Sequence, residues 1–473
     1  MAQVTVQSGG YATIPGSGTL NVTLQNQIAS AILAAATAPS AHLFTATVPA
    51  SPGPSVPAVP GIATVAEALI TDAGGNSYSF NSSYGYILDN ATGIDTISVA
   101  PGTGIISGTV GGVFNLVGGD TVALGGGNNL VQSTIAGPFP QPDYVAAGGG
   151  NDTITEGIGG TIAGGGGTNV LSGTSTAGSL LIVSSGTGDT VNALSASGVT
   201  VQSSGTNTSI ISDSVDAGSS LYVQDTGTNT TLFGGNLGPE TISAQGNNLV
   251  AAAGQGNLLF LGGAGSASLL GASGTAESIV GGSGTLLYAD LGANTSVTGG
   301  SGQFNGFGGA GGTIIYSSSI GSAVLVALGG NETLSAAASS VGVELVGADT
   351  MFGVPQPTND VLIGGSGPDT FIGGNGNTTM TGANGKGDLF VFFKTATVNG
   401  TAYSIGGGNT VITDFNTADT IFAAGYGATA AAAALGSATV SGGNTTVTLS
   451  DNTKITFNGV GSVSTLTGHF LST

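Results

Sequence analysis

The chain has 473 residues, 89 of them Gly and none Cys, and a formal charge of −21 set by 24 acidic side chains against three Lys and no Arg. The lack of a Gly-X-Y period excludes collagen, the 40% apolar share excludes a disordered polyelectrolyte, and the missing Cys excludes disulfides and thiolate metal sites. Lys386, Lys394 and Lys454 are the only Lys or Arg, so nucleic acid and anionic membranes are poor partners and a divalent cation is the natural counter-ion.

In chain order, residues 1–47 form an N-terminal segment with one helix. Leu24, Ile28, Ala31, Ile32 and Ala35 repeat at helical spacing, and the helix is expected to cap one end of an array. The N-terminus has neither the positive n-region nor the apolar h-region of a signal peptide, and no apolar run approaches the length of a membrane span. Residues 48–61 are Pro-rich and read as a stiff extended linker.

Residues 62–393 carry a repeat. Its kernel is an acidic residue, Thr and an apolar residue, as in Asp95-Thr-Ile, Asp120-Thr-Val, Asp152-Thr-Ile, Asp189-Thr-Val, Asp369-Thr-Phe and Asp419-Thr-Ile, usually preceded by Gly. Glycine gives the positive φ of a tight corner, and the following β-formers point one apolar side chain inward. Such units bury a core only by stacking. The expected fold is therefore all-β, a parallel β-solenoid (β-roll or β-helix), with about 17 coils at about 19 residues each. The core is expected to consist of small and β-branched side chains.

Residues 394–473 change character. GGGNTVITDFNTADTIF leads to an Ala-rich helix over 428–435 and then a hairpin around Asp451-Asn452, read as a C-terminal β cap closing the last edge.

The best-formed repeat, Gly364-Gly-Ser-Gly-Pro-Asp-Thr-Phe-Ile372, fits G-G-x-G-x-D-x-U-x throughout, and Ala147-Gly-Gly-Gly-Asn-Asp-Thr-Ile-Thr155 fits with Ala in first place. Here the chain resembles the RTX (repeats-in-toxin) family of calcium-binding β-rolls. The resemblance implies calcium held between turns by Gly carbonyls and Asp carboxylates, oxygen donors suited to a hard cation. By that resemblance same-side turns lie about 18 residues apart, which pairs Asp369 with Asp388, Asp360 with Thr378, and Asp152 with Asn169. The expected metal-site residues are Gly364, Gly365, Gly367, Asp369, Asp360, Asp388, Gly148, Gly150, Asp152 and Asn169. Most other repeats lack the acid, so few strong sites are expected.

The stretch Ile412-Thr-Asp-Phe415, Asp419-Thr-Ile and the hairpin are similar to the end of type I secretion substrates, whose uncleaved C-terminus is the export signal. This implies the type I secretion machinery as a partner and an extracellular or cell-surface location in a bacterium. No catalytic constellation emerges. The only His are His42 and His469, no H-E-x-x-H or G-x-S-x-G elbow is present, and Arg is absent. The expectation is a non-enzymatic, calcium-binding structural protein of surface-layer, adhesin or biofilm type, with itself, in a filament or lattice, as a candidate partner. The alternatives are a module binding cell-surface polysaccharide, with Tyr84, Tyr86, Tyr222 and Tyr288 on one face, and a two-carboxylate glycan-cleaving β-helix.

Overall fold

In a computed structural model the chain is an all-β parallel β-solenoid of about 16 turns with two helices. The structure describes residues 2–5, 11–14, 19–37, 43–48, 56–61, 63, 65–134, 141–157, 159–174, 178–194, 198–212, 219–235, 238–272, 276–291, 294–309, 311–329, 331–347, 359–383, 386–398, 401–404 and 406–473. Two compact units divide it, Met1–Val250 and Ala251–Thr473.

In the first unit each coil gives one short strand to each of two parallel sheets. One sheet stacks Ala68, Ile87, Ile105, Val122, Val145, Ile162, Ile182, Val201, Val223 and Ile242 in register, all turned inward and fully buried. The other stacks Tyr78, Ile97, Phe114, Val131, Ile154, Leu171, Val191, Ile210 and Leu232. Parallel stacking brings like residues together, so one apolar residue per strand builds a continuous core two side chains thick. The ladder begins at Leu43–Val48, which pairs with Val65–Ile70. The strands on either side of the Pro-rich segment are thus paired neighbours in one sheet, and residues 49–55 of that expected linker lie outside the described residues.

Glycines sit where one coil's backbone rests on another's. A Cβ on Gly165 would lie 1.6 Å from the Gly148 carbonyl oxygen, and one on Gly148 would lie 2.1 Å from that of Gly125. Only hydrogen fits in those gaps.

Helix α1, Thr19–Thr37, packs on the outer face of the first sheet rather than over an end of the array. Leu24, Ile28 and Ile32 form one stripe, buried against Leu88, Ile106, Ala123, Ala146 and Ala163, with Leu69 and Val183 at its borders. These seven sheet residues share one register column. A 19-residue helix is about 28 Å long, and seven strands at about 4.8 Å span nearly the same distance. Beyond Val183 the column turns polar, with Gln202 and Gln224. The apolar outer stripe therefore ends where the helix can no longer cover it.

The second unit uses the same two-sheet plan with a more aromatic core than the composition suggested. Its inward columns include Leu345, Phe371, Phe390, Ile421 and Phe470 in one sheet and Leu362, Met380, Ile412 and Phe457 in the other. Phe371 and Phe390 stack at 5.0 Å with planes 13° apart. Gly306 interrupts the first column: a Cβ there would meet the Phe304 ring at 2.7 Å, and that ring fills the gap by stacking on Tyr316 at 5.5 Å.

At the C-terminal end, helix α2, Ala430–Gly436, precedes Thr439–Ser441 and Asn444–Thr448. Thr439–Ser441 pairs antiparallel with Asn444–Thr448, which pairs antiparallel with Lys454–Phe457, and that strand pairs parallel with Asn409–Ile412. The expected hairpin is present, with Asn452 at φ 71° in its turn.

Candidate metal site

The acid of each kernel sits at the residue before a strand, at the inner corner of its coil. In the first unit Asp95, Asn129, Asp152, Asn169 and Asp189 are all buried there. Each sends Oδ1 to a backbone N–H of the coil before it: Asp95 to Asn76 N at 2.9 Å, Asn129 to Gly112 N at 3.0 Å, Asp152 to Asn129 N at 2.8 Å, Asn169 to Asp152 N at 3.0 Å and Asp189 to Asn169 N at 2.8 Å. The second unit repeats this with Asp369 on Val343 N, Asp388 on Asp369 N and Asp419 on Asp388 N, at 2.8, 2.9 and 2.9 Å. Asp and Asn alternate freely because the shared requirement is one acceptor oxygen for a buried N–H.

The three residue pairs that the resemblance implies are adjacent coil neighbours. Asp360 stands in register with Thr378, while Asp369 touches Asp388 and Asp152 touches Asn169 through the N–H bonds just given. The carboxylates are nevertheless largely engaged by the fold. Asp369 accepts Val343 N on Oδ1 and Gly365 N on Oδ2 at 2.6 Å. Asp152 takes both Asn129 N and Asn129 Nδ2 on Oδ1, each at 2.8 Å, and Asp360 accepts Glu332 N at 3.2 Å. The glycines serve the stacking. A Cβ on Gly364 would strike Asp369 Oδ2 at 2.4 Å, on Gly365 the Ser339 carbonyl at 2.3 Å, on Gly367 the Val341 carbonyl carbon at 2.4 Å, and on Gly150, at φ 111°, the Gly127 carbonyl at 2.3 Å.

Asp388, like Asp152 and Asp95, is buried with an Oδ2 that has no hydrogen-bond partner; its surroundings set it apart. That oxygen faces Gly382, whose N–H instead donates to Asp414 Oδ1 at 2.8 Å. The two carboxylates therefore converge on one turn. Burial, and then the fields of Asp369, Asp419 and Asp414, push the Asp388 carboxyl up to about 7. Sequence reasoning missed Asp414 as a site residue, because the Ile412-Thr-Asp-Phe415 stretch that holds it was read for its likeness to an export signal. Among the described residues no group of three or more His, Cys, Asp or Glu is arranged to hold a metal.

Burial also raises other acids. Asp89, Asp95, Asp120 and Asp152 reach about 6 and Glu332 about 7, in each case chiefly through desolvation.

The expected face of four Tyr does not form. Tyr84 and Tyr288 are buried and Tyr86 packs beside α1, which leaves Tyr222 on the surface. His469 Nδ1 lies 3.2 Å from the Asp419 carbonyl oxygen and its ring is edge-on to Phe415; His42 lies outside the described residues. No helix among the described residues is long and apolar enough to cross a membrane. No family model, curated protein or solved structure matches the chain.

Proposed function

We propose that the chain is a secreted, calcium-binding structural protein of the cell surface or extracellular matrix, of surface-layer, adhesin or biofilm type. Its coils form a long scaffold, and calcium fixes selected turns. The observation that carries the calcium reading is the Asp388–Asp414 pair on the Gly382 turn: a buried carboxylate oxygen without a partner, a second carboxylate beside it, and a net charge of −21 around them. A hard cation recruits such oxygens together with backbone carbonyls and water. Asp369 fits calcium less well, since Oδ1 and Oδ2 both already accept backbone N–H groups, and Asn169 offers no carboxylate. Export by type I secretion and self-assembly into a filament or lattice belong to the same reading, supported by the C-terminal likeness described above.

Calcium that binds the native state alone stabilises it by about 2.7 kcal/mol at a hundred times its dissociation constant. The test is calorimetric titration with calcium, and melting with calcium or chelator, for the wild type and Asp388→Asn/Asp414→Asn. The expected result is a rise in the melting midpoint with calcium that the double variant loses. A wild-type midpoint indifferent to millimolar calcium refutes the reading.

A further inference from the structure

We infer that the second unit carries a docking face for a second copy of this chain: an uncharged apolar column on the outside of the sheet that holds Phe371 and Phe390. This surface gives the proposed self-association a place and rests on that part of the preceding reading; calcium has no part in it.

The column takes the residue after the inward-facing one in each of nine successive strands of that sheet. It starts at Leu270, passes through Phe307, Val326 and Ile372, and ends at Phe422 and Leu471. Ala289, Val346 and Val391 fill the remaining places, so no member is polar. The neighbouring outward column adds Leu287 and Val324 and contains one acid, Glu344.

Nothing in the repeat demands an apolar residue there. The same position reads Ser98, Asn115, Gln132, Thr155, Ser172 and Asn192 in the first unit. In the other sheet of the second unit it alternates, with Ile315, Ser335, Ile363 and Thr381. The comparable apolar column of the first unit lies under α1, and its members are buried. Here Leu270 and Leu471 are exposed, Val391 is buried and the other six are half-buried. Among the described residues α1 packs on strands of the first unit, and α2 reaches this sheet at its last strand, Phe470–Ser472. A contiguous apolar face left open in this way marks an interaction surface.

Shape and charge select the occupant. The column under α1 has Ala123, Ala146 and Ala163 in its path, which leave room for a helix. The open column has Phe, Val and Ile at its centre, a flat surface suited to another sheet, as in a sandwich core. Each copy carries a net charge of −21, so two copies approach closely only where carboxylates are sparse, and this face has Glu344 alone in its neighbouring column. Nine strands at about 4.8 Å, with about 15 Å of strand length, give roughly 600 Å² per copy, or about 1,200 Å² for the pair, where specific interfaces begin. The same face on both copies makes an isologous contact, which closes at a dimer.

The experiment is sedimentation of the full chain in chelator over a range of concentrations. Wild type is expected to be a dimer at about 10 µM. Val326→Glu/Ile372→Glu places charges within the face. Val326→Thr/Val346→Thr/Ile372→Thr keeps β-branched side chains, as Thr155 does at that position in the first unit. Both variants are expected to keep the wild-type strand signal in circular dichroism. The first should be monomeric, and the second should raise the dissociation constant at least about tenfold. Wild type that stays monomeric to about 100 µM, or a folded Thr variant that dimerises as tightly as wild type, overturns the proposal. Calcium binding is read separately, by melting midpoints, so either result stands if the other fails.

Discussion

Asp152→Asn separates two roles for the kernel acid, a rung of the coil-to-coil ladder and a ligand for calcium. The buried Asp152 carboxyl is raised from 3.8 to about 6. Two units correspond to about 3 kcal/mol of cost for keeping the charge in place at alkaline pH. Solvent screening reduces this, and the charge-assisted bonds from Asn129 are weakened by the change, leaving a net gain of about 1–2 kcal/mol for the amide. Geometry favours the exchange: Asn129 and Asn169 hold the same position one coil to either side, and Asn169 already shows an amide donating Nδ2 to its successor, Asp189, at 3.0 Å. Urea unfolding in chelator at about pH 8 and about pH 4.5 reads the effect. The variant is expected to be more stable by that amount at the higher pH, where wild-type Asp152 is charged, and equal at the lower pH, where it is neutral. A variant less stable than wild type at pH 8 in chelator refutes the ladder assignment. A loss seen only when calcium is added makes Asp152 a ligand after all.

Gly165→Ala puts a methyl 1.6 Å from the Gly148 carbonyl oxygen, backbone against backbone; a loss of at least about 3 kcal/mol is expected by urea melt, well above the ordinary cost of overpacking. Ile28→Asp places a charge in the stripe between α1 and the Leu88–Ala163 column; the helix should release while the coils stay folded, seen as new binding of a hydrophobic dye with the strand signal in circular dichroism unchanged. Phe371→Ala removes one of two stacked rings from the second unit and should cost about 3–5 kcal/mol by denaturant melt. Trypsin should release a fragment ending at Lys386, the first Lys or Arg in the chain, and leave it uncut even in urea; mass spectrometry of the digest checks this.

The solenoid was legible in the sequence because the kernel states its own geometry. The acid marks the corner, Thr faces outward and the next residue faces inward, as Asp152, Thr153 and Ile154 do. The family resemblance also implied the pairing of Asp360 with Thr378 and of Asp369 with Asp388, which lie in adjacent coils. Spacing assigns a residue to a column but not the direction of its side chain, so the reach of Asp369 into the backbone of the previous coil was not readable. The position of α1 left a trace that went unread: an outward column that is apolar from Leu69 to Val183 and polar from Gln202 onward. The strand Leu43–Val48 was obscured by the prolines after it, although its alternation carries the strand period. Asp414 could not be linked to Asp388 from sequence, because the 395–404 hairpin lies between their coils.

The Asp/Asn ladder gives each unit a grammatical direction. The rungs made by the kernel acids run one way, with the later coil supplying the oxygen and the earlier coil the hydrogen, while Asn151 and Thr168 give their N–H groups in the opposite direction. A coil is thus an unfinished sentence until its successor is spoken. Deleting coils from the C-terminal side strands buried N–H groups, which few side chains can answer. Deleting them from the N-terminal side strands other N–H groups, those of Thr153, Val170 and Leu389, which donate to the carbonyls of Asn129, Asp152 and Asp369 one coil earlier. Shortened versions of this array therefore need a new cap at whichever side is cut, and the two caps must answer different groups.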